Sequence, residues 1–227
     1  MNFDEIFEAY YAQYRAEADT PESTDDEYPV AMRLANEAVN RWQNYDNTQW
    51  NELWQTAQRE ADGVLIINTN DTAYDAPANF KSAGGDIAIR DSNGALVYRY
   101  KLVEPQDAQF LSDSARYAYF TGSPSDGYQL NINPAPDSTL DGHSIDYLYY
   151  KTASNFVLGT DISEMSDPYF IVHRMLANRF RSSRNPYYSS AKQDAEDSLR
   201  TMQLQNNSGT WSNPWSVPDR SGTAFGG

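Results

Sequence analysis

With no cysteine in the chain, proton transfer or metal ligation near neutral pH would fall first to two histidines and to 32 aspartates and glutamates. Histidine titrates in that range, but chemistry needs a partner that orients one of its ring nitrogens. His143 follows the turn sequence "LDG", and His173 stands beside Arg174 within a helical pattern. Neither has a second ligand or relay partner at a telling spacing, so both read as structural. A glycosidase would need a carboxylate pair flanking a sugar bond. Here acids are too numerous for spacing to single a pair out. Asp25, Asp26 and Glu27 read as a solvated loop and helix start, where negative charge suits the helix dipole. The chain also lacks G-x-G-x-x-G, G-x-x-x-x-G-K-[ST], H-E-x-x-H and G-x-S-x-G, and has no EF-hand loop. No catalytic residue, required metal or cofactor is expected.

At 227 residues the chain can bury a core without disulfides. Its net charge of −15 argues against gripping a nucleic-acid backbone, which binds cationic surface. Solubility or a salty medium would explain that charge as well as a functional role would. No apolar run approaches a membrane span, and "MNFDEIFEAYY" lacks the basic start and apolar core of a secretion signal. We therefore expect no membrane partner and no export by the general secretory route.

The elements that would position any site begin with helices. Phe3, Ile6, Phe7, Tyr10 and Tyr14 fall on one stripe over residues 3–18. "TPESTDDEYP" interrupts it, and the period resumes through Ala31, Leu34, Ala35, Ala38 and Trp42. In "TQWNELWQTAQREA" the spacing of Trp50, Leu53, Trp54 and Ala57 predicts a third helix, ended by Gly63. From Val64 the period becomes alternating. "DIAIRDSNGALVYRYKL" reads as a hairpin turning at Asn93 and Gly94, and "RYAYF" and "YQLNINP" read as a second pair around "TGSPSDG". "SIDYLYYK" reads as one last strand with aromatic side chains on both faces. Such a strand belongs between layers or between subunits. After the polar linker, Ser166 or Asp167 caps a helix opening at Pro168, with Tyr169, Val172, Leu176 and Phe180 as its buried stripe. One more helix follows, carrying Leu199 and Met202.

These readings sum to an α+β fold. Residues 1–62 and 163–206 form one helical bundle from the N- and C-terminal helices, and residues 63–155 an inserted antiparallel β domain. Residues 156–162 are a linker, and residues 207–227 an extended C-terminal tail. In the tail, Trp211, Trp215, Val217 and Phe225 sit among residues that cannot build a core, so they point to a partner surface or to folding back on the chain itself. The 17 tyrosines, 9 phenylalanines and 5 tryptophans suit protein interfaces, although ordinary core use accounts for much of that load.

The order "RLANEAVNRWQNYDNTQWNELW", a strand ending "IDYLYYK", then "SEMSDPYFIVHRMLANRF" resembles the head-to-tail adaptor proteins of tailed bacteriophages, relatives of the tail accessory factor of short-tailed phages. The resemblance covers residues 1 to about 206 as an architecture, and its motifs are loose. It implies a structural virion protein, made in the host cytoplasm, whose copies form a ring, dodecameric in the family, beneath the portal protein. That ring continues the DNA channel, lets DNA pass without sequence-specific binding, and offers a platform to a downstream tail or nozzle protein. The Val64 to Lys151 β region departs from the smallest, all-helical adaptors. On this reading Trp211, Trp215, Val217 and Phe225 are portal contacts. Tyr147 and Tyr149 pack inward, Tyr150 faces another layer or subunit, and Tyr169 and Phe180 serve core or interface. Two other classes stay open: a carbohydrate-binding or hydrolytic virion protein, whose aromatic residues stack on sugars, and a non-viral interaction module using its C-terminal tryptophans.

Overall fold

The computed structural model describes residues 1–15, 22–57 and 65–208. Helix α1 (Phe3–Tyr14) starts where the Asn2 carboxamide oxygen accepts the Glu5 amide at 2.8 Å, while the Glu5 carboxylate accepts the Asn2 amide at 2.9 Å. This reciprocal cap satisfies two orphan donors and contributes about 1 kcal/mol. Phe3, Ile6, Phe7, Tyr10 and Tyr11 are buried along it. Helix α2 (Glu27–Gln43) buries Ala31, Leu34, Ala35, Ala38, Val39 and Trp42, and its three alanines let neighbours approach closely.

Over its described residues, 48–57, the third predicted helix does not form. The chain leaves α2 through two short 3-10 turns, Tyr45–Asn47 and Asn51–Leu53, and then enters strand β1 (Trp54–Thr56). Long-range bonds override the local spacing. The Trp50 indole stacks on Trp42 at 5.4 Å and donates to the Trp42 carbonyl at 2.8 Å, and the Trp50 amide donates to the Tyr150 hydroxyl at 3.0 Å. Trp50 and Leu53 are thereby buried in the helical core, whereas Ala57 is buried among the strands. Gly63, its expected stop, lies outside the described residues.

Strands β2 (Ala73–Asp75), β3 (Phe80–Ala83), β4 (Ile87–Arg90) and β5 (Leu96–Leu102) follow, then a one-turn helix α3 (Pro105–Ala108). Strands β6 (Tyr117–Ser123), β7 (Gly127–Asn133), β8 (Ser144–Asp146) and β9 (Leu148–Lys151) complete the β region. Six strands form a sheet in the order β2-β7-β6-β5-β4-β8, and three form a smaller one, β1-β9-β3. Both predicted hairpins are present, β4 with β5 and β6 with β7. At the first turn Gly94 takes φ 81°, and the Asp91 carboxylate accepts the Asn93 and Ala95 amides at 2.9 Å. The β region is not purely antiparallel. β5 and β6 run parallel through Lys101↔Tyr117 and Leu102↔Ala118. The 103–116 crossover containing α3 supplies the length that a parallel return requires.

"SIDYLYYK" is two strands rather than one. β8 pairs with β4 at the edge of the larger sheet, and after Tyr147 the chain crosses into the smaller sheet, where β9 is central.

Helix α4 (Tyr169–Ser183) begins at Asp167, whose carboxylate accepts the Tyr169 amide at 3.1 Å, with Pro168 already in helical conformation. Helix α5 (Tyr188–Ser208) packs along α4 and buries Ala191, Ala195, Leu199 and Met202. The buried face of α4 comprises Phe170, Ile171, Val172, Met175, Leu176 and Ala177. Tyr169 belongs to the other side and is 50% exposed, while Phe180 is half-buried. The protein is thus α+β. Helices α1, α2, α4 and α5 enclose one core and the strands enclose another. No described helix is long and apolar enough to cross a membrane.

Candidate interaction surface

The two cores meet at β9. Tyr149 points into the strand core, and its hydroxyl lies within hydrogen-bond distance of the Gln55 and Asn79 side-chain oxygens, at 2.9 and 3.1 Å. Tyr150, on the opposite face, is buried among the helices. Burial pushes the pKa of its hydroxyl above the ordinary tyrosine value, as the neutral form is the cheaper one to bury. Tyr147 is buried in the strand core as well. The aromatic load on this segment therefore serves two cores of a single chain. Trp54 edges onto the Tyr150 ring at 5.3 Å. Residue 84 must be glycine here, because a Cβ would stand 2.5 Å from the Trp54 ring.

Lys151 ends β9 as a buried cation, and its ammonium is bonded to the Glu164 carboxylate. Glu164 also accepts the Ser154 amide at 3.0 Å and the Ser154 hydroxyl at 3.3 Å. These bonds fix the base of residues 156–162, the segment expected to be a linker. It is an ordered loop that caps α1. The Phe3 and Asp4 amides donate to the Asp161 and Gly159 carbonyls, each at 3.0 Å, and the Ser163 amide donates to the Met1 carbonyl at 3.0 Å. A Cβ on Gly159 would lie 2.2 Å from the Asp4 carboxylate. Phe156 is buried, its amide and carbonyl both held by the Asn36 carboxamide at 2.8 and 3.0 Å. One oxygen of Asp161 accepts the Val157 and Leu158 amides at 2.7 Å each. Those amide bonds hold the Asp161 carboxyl below its ordinary range, since they stabilise the anion.

Held this way, the loop turns Val157, Leu158 and Ile162 outward, at 73%, 62% and 74% exposure. Scattered exposed apolar residues are ordinary, but these three share one pinned loop. The sequence offered a signal in "NFVLGTDI", but a polar setting without periodicity hid it.

Of the residues expected at core or interface, the structure brings Tyr147, Tyr149 and Tyr150 together around β9 and leaves Tyr169 and Phe180 apart on α4. Phe180 packs against Tyr14, ring centroids 6.3 Å apart. Trp211, Trp215, Val217 and Phe225 lie outside the described residues. A groove of about 420 Å³ lies between the C-terminal end of α2 and the β6–β7 turn. Its ionisable side chains are Lys81 and Tyr128, and Lys81 donates to the Asn44 side chain at 3.3 Å. The His143 ring faces the Asp141 carbonyl at 3.3 Å, and His173 is half-buried on α4. Among the described residues no cluster of three His, Asp or Glu could hold a metal. No protein-family profile matches the chain, and no curated protein sequence is significantly similar to it.

Proposed function

We propose that the protein is a structural adaptor of the head–tail junction of tailed bacteriophages. Copies form a ring, dodecameric as the resemblance implies, on a portal protein. The ring continues the DNA channel and gives a tail or nozzle protein its platform. One observation carries the reading beyond the resemblance itself. The 156–162 loop is pinned by backbone and carboxylate bonds at its base, yet presents Val157, Leu158 and Ile162 to solvent, which is the construction of a protein-docking surface. Residues 207–227, with Trp211, Trp215, Val217 and Phe225, are assigned the portal contact.

Native mass measurement with and without a purified portal ring tests this. We expect weak self-association alone and a closed ring on the portal. Truncation after Asn206 should leave the circular dichroism of the body unchanged and abolish stable attachment. A full-length chain that stays monomeric in both conditions overturns the adaptor reading.

A further inference from the structure

Residues 168–193 hold four arginines and Lys192 but no acid, in a chain of net charge −15. Two of those arginines form the tip between α4 and α5. Arg181 lies in the last turn of α4 and Arg184 caps it. Arg184 is left-handed, φ 53° and ψ 36°, a conformation that glycine adopts without strain and an arginine does not. Both side chains are exposed, and Tyr187, three residues on, is 68% exposed. Among the described residues neither guanidinium has an ion pair or hydrogen bond. The Ser182 and Ser183 hydroxyls turn back onto the Arg179 carbonyl at 2.7 and 3.1 Å, so the tip presents cations and a phenol.

The opposite end of the helical layer has the opposite character. Residues 1–8 and 152–167 contain six carboxylates and no lysine or arginine, and they carry the exposed Val157, Leu158 and Ile162. Helix α1 separates the two ends. Its first amides bond to the loop, while its last residue, Tyr14, accepts from Arg179 at 3.1 Å. Twelve residues make that separation about 17 Å.

We infer that the α4–α5 tip of one copy docks on the acidic, apolar end of the next, through Arg181, Arg184 and Tyr187 against the 156–162 loop. A cationic, aromatic surface meets an anionic, aliphatic one, and no second macromolecule is needed to satisfy either. The two surfaces differ, so the contact is head-to-tail. Repetition closes a ring or extends a filament, and does not stop at a two-fold dimer. This rests on the ring reading above and gives it its surfaces.

Sedimentation equilibrium at about 1 mM protein in low salt tests the contact, a concentration suited to weak association. The wild type should form multimers that dissociate as salt screens the charges. Arg181→Glu/Arg184→Glu and Val157→Ser/Ile162→Ser should each associate at least about tenfold more weakly. All four positions are exposed, so melting temperatures should stay near wild type. An equal mixture of the two variants should give a heterodimer and nothing larger, because each supplies one intact surface. Arg184→Gly should raise the melting temperature and weaken association, separating docking from backbone strain.

The inference is overturned by a monomeric wild type, by variants that associate like wild type, or by a mixture that forms no heterodimer. The portal arm distinguishes the two readings. If both variants close rings on a portal as wild type does, these surfaces are wrong and the adaptor reading stands. If wild type associates head-to-tail alone but forms no ring on a portal, the contact stands and the adaptor reading falls.

Discussion

The Tyr150 hydroxyl accepts the Trp50 amide inside the helical core, so a single phenol oxygen satisfies a buried backbone donor. Tyr150→Phe should cost about 1–3 kcal/mol in urea unfolding, the penalty for a buried amide left without a partner. Trp50→Ala should cost about 3–5 kcal/mol, because a fully buried indole leaves a cavity. Asp161 acts more locally. Asp161→Ala should speed hydrogen exchange at the Val157 and Leu158 amides and barely move the global midpoint. The wild-type loop has a matching acid dependence: the folded carboxyl titrates below its ordinary value, so its stabilisation is present above that value and lost as pH falls through the depressed one. At the alkaline end, burial pushes Tyr10, Tyr28 and Tyr100 up to about 12. Their contribution is full below the ordinary value of 10 and lost as pH rises from there towards 12. The thermal midpoint should therefore begin to fall near pH 10. Periodicity finds such buried residues where it persists, as from Phe3 to Tyr10. It misleads at Trp50, Leu53, Trp54 and Ala57, because a 3-10 turn followed by a strand meets the same short spacing.

Among the elements, β9 divides the two cores and Lys151 closes it. Lys151→Ala should destabilise the protein by about 3 kcal/mol in the same unfolding assay, leaving Glu164 partly buried without its cation. Pairing Lys151→Met with Glu164→Gln should recover part of that loss. Both hairpins could be read from the chain because their turns are local and chemically marked, Asn93–Gly94 in one and a run of turn formers in the other. The parallel pairing of β5 with β6 could not be read so, since nothing in 103–116 states where the returning strand will lie. The break at Tyr147 was hidden for a different reason. Alternation continues from Ser144 to Lys151 while the hydrogen-bonding partner changes from β4 to β1 and β3. The 156–162 loop escaped notice as a surface because exposed apolar residues in a loop follow no period.

At the scale of the whole molecule, the shared strand predicts one cooperative transition rather than two. Trp42, Trp50 and Trp54 report the helical core and its border, and the far-ultraviolet strand signal reports the other. In protein truncated after Asn206, the two thermal curves should coincide, and separated midpoints would mean that the cores melt independently. Asn206 itself sets how the chain answers to force. Its side chain accepts the Asn51 amide at 2.8 Å and donates to the Gln49 carbonyl at 2.9 Å, just ahead of β1, which is zipped to β9 by three residue pairs. Tension drawn through the C-terminal segment is thus shared between the axis of α5 and the seam where both cores are stitched. Tugging there strains the stitch before it peels either core from its outer edge. In an optical trap Asn206→Ala should lower the rupture force while leaving the resting melting temperature nearly unchanged.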